Sequence, residues 1–124
     1  MIIAVPVTPA GDVDPRWGRA HRVALARLEG GEIKDWREHE VAWDESHDAG
    51  THGSHHARIV RFLREEGVHA VVLHHCGAPM ANTMTKLGLV LVWEASGDAR
   101  AAVLAAAPLI RDELAARQSS APPA

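Results

Sequence analysis

Six side chains that can bind transition metals are concentrated in one short stretch of the sequence. They are His52, His55, His56, His74, His75 and Cys76. Imidazole and thiolate suit Zn²⁺, copper or an iron–sulfur cluster, whereas hard cations would need carboxylates. A site of four cysteines is excluded, because the chain has a single cysteine. These residue types indicate a site for Zn²⁺, copper, iron or a metal–sulfur cluster.

The spacing of the first three histidines predicts that they lie on the buried face of a helix. With two aliphatic residues they form a series at i, i+3, i+4, i+7 and i+11: His52, His55, His56, Ile59 and Leu63. Residues 68–73, an apolar run after Gly67, are typical of a buried strand. The start of that helix and the end of that strand share one edge of the sheet, so we expect the two groups to meet there.

The second group follows the strand at its carboxyl end, where open α/β sheets bind ligands. If the strand stays extended, His74 and Cys76 share one face and His75 points to the other. The favoured ligands, with His75 as second choice, are His52, one or both of His55 and His56, His74 and Cys76. The histidines predicted to be structural or solvated are His21, His39, His47 and His69.

Three apolar runs and one glycine pair predict the strands. Residues 1–7, 68–73 and 89–94 are rich in β-branched and aliphatic residues, which is typical of buried strands. Residues 20–41 alternate around Gly30 and Gly31, which predicts a hairpin with a tight turn. The sheet therefore contains about five strands.

The remaining segments predict the helices and the loops. The polar residues 42–54 are expected to form a loop, and 77–88 a helix. An alanine-rich helix is predicted from Ser96 to about Ala116, with a kink or break at Pro108. Because the later strands alternate with helices, they should run parallel through right-handed crossovers. The fold class is α/β, a mixed sheet with helices on both faces.

Length and composition bound the function. The 124 residues favour one domain, predicted as residues 1–117 with a flexible tail over 118–124. A net charge of −3 argues against nucleic acid as a partner. No apolar run is long enough to span a bilayer and the start lacks the basic region of a secretory signal, so a cytoplasmic location and no membrane partner are expected.

Several stretches of the sequence resemble the dinitrogenase iron–molybdenum cofactor biosynthesis family, which includes NifX, NifY and the C-terminal domain of NifB. These stretches are "MIIAVPV", "RWGRAHRVALARLEGGEIK" and "HGSHHARIVRFLREEGVHAVVLHHCGAPMANTMTKLGLVLV". The resemblance covers about residues 1–107. Family members typically have a histidine where this chain has Arg16, and a glycine pair where it has His74 and His75.

The resemblance implies a ribonuclease H-like α/β fold and a non-catalytic accessory or carrier protein for metal clusters. Its motifs imply that Trp17, Gly18, Arg19 and Gly77 contribute to cofactor binding. The implied partners are a metal or metallocluster and an acceptor or donor apo-protein, and oligomerisation stays open. The two histidines in place of glycines imply side-chain ligands in the same pocket.

Two other functions are compatible with the same residues. A Zn²⁺ hydrolase would keep an open coordination position and use Glu45 or Asp48 as its base. A regulatory or scaffolding module would bind a protein partner without metal, with Trp17 and its loop as an exposed anchor.

Overall fold

The computed structural model describes residues 1–46 and 52–119. The strands are β1 (Ile2–Val7), β2 (Arg22–Glu29), β3 (Glu32–Glu40), β4 (Ala70–Val72) and β5 (Val90–Val92). The helices are α1 (Trp43–Ser46), α2 (His52–Glu65), α3 (Ala78–Lys86) and α4 (Ala99–Ser119). One 3-10 turn, Trp17–Arg19, is called the Trp17 turn below.

The strands form one mixed sheet in the order β3-β2-β1-β4-β5. β1 pairs antiparallel with β2, and β2 with β3, across the turn at Gly30 and Gly31, whose positive φ angles suit a tight hairpin. β4 pairs parallel with both β1 and β5. The prediction of a five-stranded mixed sheet is confirmed, and its ribonuclease H-like classification stays a prediction.

Helices cover both faces of the sheet, as predicted. Along β1 the side chains alternate, so Ile3 and Val5 pack with Val103 and Ile110 of α4 in one core cluster. Ala4 belongs to a second cluster, which contains apolar residues of α2 and α3: Ile59, Leu63, Met80 and Met84. The site described below lies on the α2 and α3 side.

The predicted loop at residues 43–46 and the predicted break at Pro108 are wrong, whereas the kink that was the alternative at Pro108 stays a prediction. Residues 43–46 form α1 rather than loop, because Trp43 is buried against the Trp17 turn. α4 is one helix that passes through Pro108 and continues to Ser119. Pro108 is exposed, so its ring and the lost hydrogen bond face solvent while Val103 and Ile110 keep their packing.

β3 is an edge strand, and its exposed side chains carry opposite charges two residues apart. Lys34 Nζ lies 2.9 Å from Glu32, and Arg37 Nε lies 2.7 Å from Asp35. None of the helices in residues 1–46 and 52–119 combines the length and apolar character needed to cross a membrane.

Candidate functional site

A cavity of about 580 Å³ lies beyond the carboxyl end of β4, between α2, the start of α3 and the Trp17 turn. The loop before the Trp17 turn joins the loop after β4 through a parallel β-bridge between Arg16 and His75. The cavity is lined by Pro15, Arg16, Trp17, Gly18, Arg19, His55, His56, Ile59, His75, Cys76, Gly77, Pro79 and Met80. His55 and His56 of the first predicted group therefore line the same cavity as His75 and Cys76 of the second. His52 and His74 are treated below.

His55 attaches α2 to the Trp17 turn. Its Nε2 lies 2.8 Å from the carbonyl oxygen of Gly18, and the side chain is buried. A carbonyl only accepts, so Nε2 must carry the proton and donate it. A metal could reach this imidazole only through Nδ1, which makes His55 a support of the cavity wall as well as a predicted ligand.

Trp17 lines the cavity, although its side chain is only 1% exposed. Its ring stacks edge to face on Trp43 with 5.1 Å between centroids, and Trp43 does the same on Phe62 at 5.7 Å. The prediction of Trp17 as an exposed protein-binding anchor is wrong, because α1 covers it. The buried Nε1 of Trp17 has no hydrogen-bond partner among the described residues.

The segment after β4 does not continue as an extended strand. β4 ends at Val72, and the chain turns before α3, so strict alternation of side chains is lost. His75 and Cys76 line the cavity, whereas His74 is exposed outside its lining and accepts the Glu94 N–H through its carbonyl. The pairing of His74 with Cys76 was expected only for an extended strand, and since the strand ends at Val72, His75 takes the place beside Cys76 in the lining.

Burial raises the pKa of the Cys76 thiol. The sulfur is therefore a protonated thiol at neutral pH, and a metal must displace its proton to bind.

The cavity is basic. Two arginines and three histidines line it, and no aspartate or glutamate is among the described lining residues. Asp14 is buried, accepts the Arg16 backbone N–H at 3.0 Å and forms an ion pair with Arg16 Nε at 3.5 Å, while the Arg16 side chain stays 65% exposed. Such a surface attracts anions and repels free cations.

The predicted ligands that line the cavity do not bring three donor atoms together at one point. Within residues 1–46 and 52–119, three donor atoms come within 4.8 Å of one another only at His21, Asp44 and Glu45. The side chain of His52 lies outside the described part of the chain, as do His47 and Asp48.

His21, predicted to be structural or solvated, makes hydrogen bonds to two carboxylates that the sequence did not predict. Its Nδ1 lies 2.9 Å from Asp44 Oδ1, and its Nε2 lies 2.8 Å from Glu40 Oε1. The hydrogen bonds to Asp44 and then to Glu40 raise the pKa of His21, and the bond to His21 lowers the pKa of Asp44. The hairpin offered one signal, since pairing about Gly30 and Gly31 brings residue 21 next to residue 40.

Two of the remaining histidines behave as predicted. His69 Nδ1 accepts the Ile2 N–H at 3.0 Å, and the His39 ring packs against Phe62. Glu45, the base predicted for a hydrolase, does not line the cavity.

A family model described as dinitrogenase iron-molybdenum cofactor matches residues 1–107. The crystal structure of PH0822 has a TM-score of 0.68 and 21% identity, with 90% of each chain covered. The apo form of the orange protein from Desulfovibrio gigas has a TM-score of 0.64 and 19% identity, over 90% of this chain and 88% of that one. Both likenesses concern the fold. No curated protein sequence matches the chain.

Proposed function

The chain belongs to the dinitrogenase iron-molybdenum cofactor family, and from that premise we propose that it is a small carrier that binds a metal–sulfur cluster in the cavity beside the Trp17 turn. The observation that carries the proposal is the combination of soft donors and basic residues without carboxylates in the described lining. A carrier of this kind performs no catalysis.

The charge of the cavity supports a cluster with net negative charge as cargo. Arg16 and Arg19 would attract such a cluster, and would oppose the entry of free Zn²⁺ or Cu²⁺. Metal–sulfur clusters gain negative charge from their sulfides, so they suit this surface better than a bare cation does.

The donors support the same cargo. Cys76 would bind as a thiolate after losing its proton, and His75, beside it, would offer an imidazole nitrogen. His56 lines the opposite wall, and His52 is a proposed ligand on the same helix. His74 remains a weaker proposal, because it lies outside the cavity lining.

Release of the cargo requires an accessible site and a partner, and we propose an acceptor apo-protein as that partner. His75 is exposed and Cys76 is partly exposed, so an incoming thiol can reach the metal. A cytoplasmic location belongs to the same proposal, because a free thiol ligand needs a reducing compartment.

Protein purified without a histidine tag should be mixed with tetrathiomolybdate or with Fe²⁺ and sulfide, then desalted and measured for metal content and visible absorption. We expect bound chromophore in the wild type and a loss of it in His75→Ala. The matched comparison is His74→Ala, which removes the neighbouring imidazole outside the cavity lining and should reduce loading much less than His75→Ala does. Absence of loading, or equal losses in both variants, would contradict the proposed site.

A second measurement separates carrier from enzyme. Loaded protein mixed with an apo-acceptor should lose its chromophore to the acceptor and should not hydrolyse simple esters or phosphoesters faster than free metal does. Hydrolysis that disappears in Glu45→Gln or Asp48→Asn would replace the carrier function by the hydrolase.

A further inference from the structure

Behind the Trp17 turn, His21 faces the carboxylates of Asp44 and Glu45 near the end of the hairpin and the start of α1. One donor atom from each of the three residues lies within 4.8 Å of the other two. His21 and Asp44 are 42% and 39% exposed at their side chains, so an ion can enter from solvent. None of these three residues lines the cavity of the proposed carrier site.

Glu40 gives this group the second contact that metal-binding histidines normally have. A ligating imidazole usually donates its other ring N–H to a carboxylate, which fixes the tautomer and the ring orientation. Glu40 Oε1 accepts from Nε2 at 2.8 Å, on the side of the ring away from Asp44. Nδ1 is thereby directed at Asp44, and becomes the donor atom once its proton is displaced.

The charge of the group calls for a cation. Three carboxylates surround one imidazole, and within the described residues the ion pairs of Glu40 and Asp44 are both with His21. A carboxylate oxygen of Glu45 lies within 4.8 Å of the donor atoms of His21 and Asp44. One nitrogen and two carboxylate oxygens are donors that Zn²⁺ and related first-row divalent ions accept, with water completing the coordination.

We propose that His21, Asp44 and Glu45 form a second metal site, which binds a first-row divalent cation such as Zn²⁺. Glu40 orients the imidazole in this site. The site does not depend on the proposed carrier function. It joins the hairpin end to α1, where the His21 carbonyl already accepts the N–H groups of Val41 and Ala42, both at 3.0 Å.

The bound ion would brace the wall of the cavity. Trp43 directly precedes Asp44. Its backbone N–H donates to the Ala20 carbonyl at 2.9 Å, and its ring packs edge to face on Trp17. An ion that fixes Asp44 therefore fixes the segment that holds the Trp17 turn in place.

The test uses full-length, untagged His75→Ala/Cys76→Ser protein, in which the two donors that follow β4 are removed from the cavity. Titration with Zn²⁺ by calorimetry should give one site, and His21→Gln, Asp44→Asn and Glu45→Gln should each weaken it by about tenfold or more. The matched control is Glu32→Gln, which removes an exposed carboxylate at the far end of β3 and should have no effect. Absence of Zn²⁺ binding, or equal affinity in all four variants, would overturn the proposal.

A measurement on the wild type guards against variants that fail to fold. Substoichiometric Mn²⁺ should broaden the backbone amide NMR signals of His21 and of residues 43–45 before any others. Broadening that begins at residues 74–77 would assign the ion to the carrier cavity and overturn the second site.

Discussion

The cavity and the His21 group both adjoin the Trp17 turn and both present histidines, yet their surroundings have opposite charge. His55, His56 and His75 share the cavity with Arg16 and Arg19, whereas His21 is surrounded by Glu40, Asp44 and Glu45. The first surface favours anions with soft donors and the second favours a free divalent cation. The charged neighbours of an imidazole, more than its presence, decide what it can bind.

The substitution with the largest expected effect should disrupt both the cavity and the His21 group. Trp17→Ala removes a buried indole that packs on Trp43 in the wall between the two regions, so it should lower the free energy of unfolding by about 3–5 kcal/mol. Denaturant unfolding measures this change. Trp93→Ala is the control, because Trp93 is 41% exposed, and it should cost less than about 1 kcal/mol. Equal losses in the two variants would mean that the wall is not a structural unit.

The next effect separates the two regions. Cys76→Ser should reduce tetrathiomolybdate loading by about tenfold and leave Zn²⁺ affinity at the His21 group unchanged, whereas Asp44→Asn should do the reverse. Loading should also fade below about pH 6, because protons compete with the metal for imidazole and thiolate. Metal analysis after desalting measures the tetrathiomolybdate loading, and calorimetry measures the Zn²⁺ affinity. If either variant lowered both kinds of binding to the same extent, the two regions would be one site.

A smaller effect tests the charge of the cavity. Arg16→Gln should weaken tetrathiomolybdate binding by roughly threefold at low ionic strength, since an exposed charge is worth about 1 kcal/mol or less. The difference between wild type and variant should shrink as salt is added, because ions screen an exposed arginine. Binding titrations at two salt concentrations measure it, with Arg27→Gln on β2 as the control. A stronger effect on Zn²⁺ than on the anion would reverse the assignment.

The smallest effect concerns the stability of the metal-free protein. The pKa of His21 is raised in the folded state, so the stability from its pairing is fully present below its unfolded value of 6.5 and is lost as pH rises through the folded-state pKa. The pKa of Asp44 is lowered, so its contribution is present above 3.8 and is lost as pH falls through the folded-state value.

Wild type and His21→Gln should therefore differ most in thermal midpoint between pH 3.8 and 6.5. The difference should be small, because the groups are exposed, and should narrow toward about pH 8. Melting curves in chelator measure it. A difference that widened with alkaline pH would contradict a protonated His21 held by Asp44 and Glu40.

The sequence predicted the sheet well because its signals are local. The apolar runs at β1, β4 and β5 and the turn at Gly30 and Gly31 each depend on a few adjacent residues. The exposed ring of Pro108 shows the limit of such signals, since a proline on the solvent side leaves the packing face of a helix intact.

The site could be predicted only where it follows from those elements. The helical series correctly brought His55 and His56 toward the end of β4. The exchange of His74 for His75 depends on where β4 ends, and one residue of difference there reverses which side chain faces the cavity. The carboxylate partners of His21 could not be predicted, because they come from separate segments that meet only after α1 packs on the Trp17 turn.

The charged edge of β3 has a consequence for the behaviour of the protein at high concentration. A second chain that added a strand along this edge would have to bury Lys34, Arg37 and their acidic partners, or break those pairs. Natural sheets use such charges to prevent intermolecular strand pairing and the aggregation that follows from it. The long hairpin that carries one carboxylate of the His21 group can therefore remain in solvent without recruiting copies of itself.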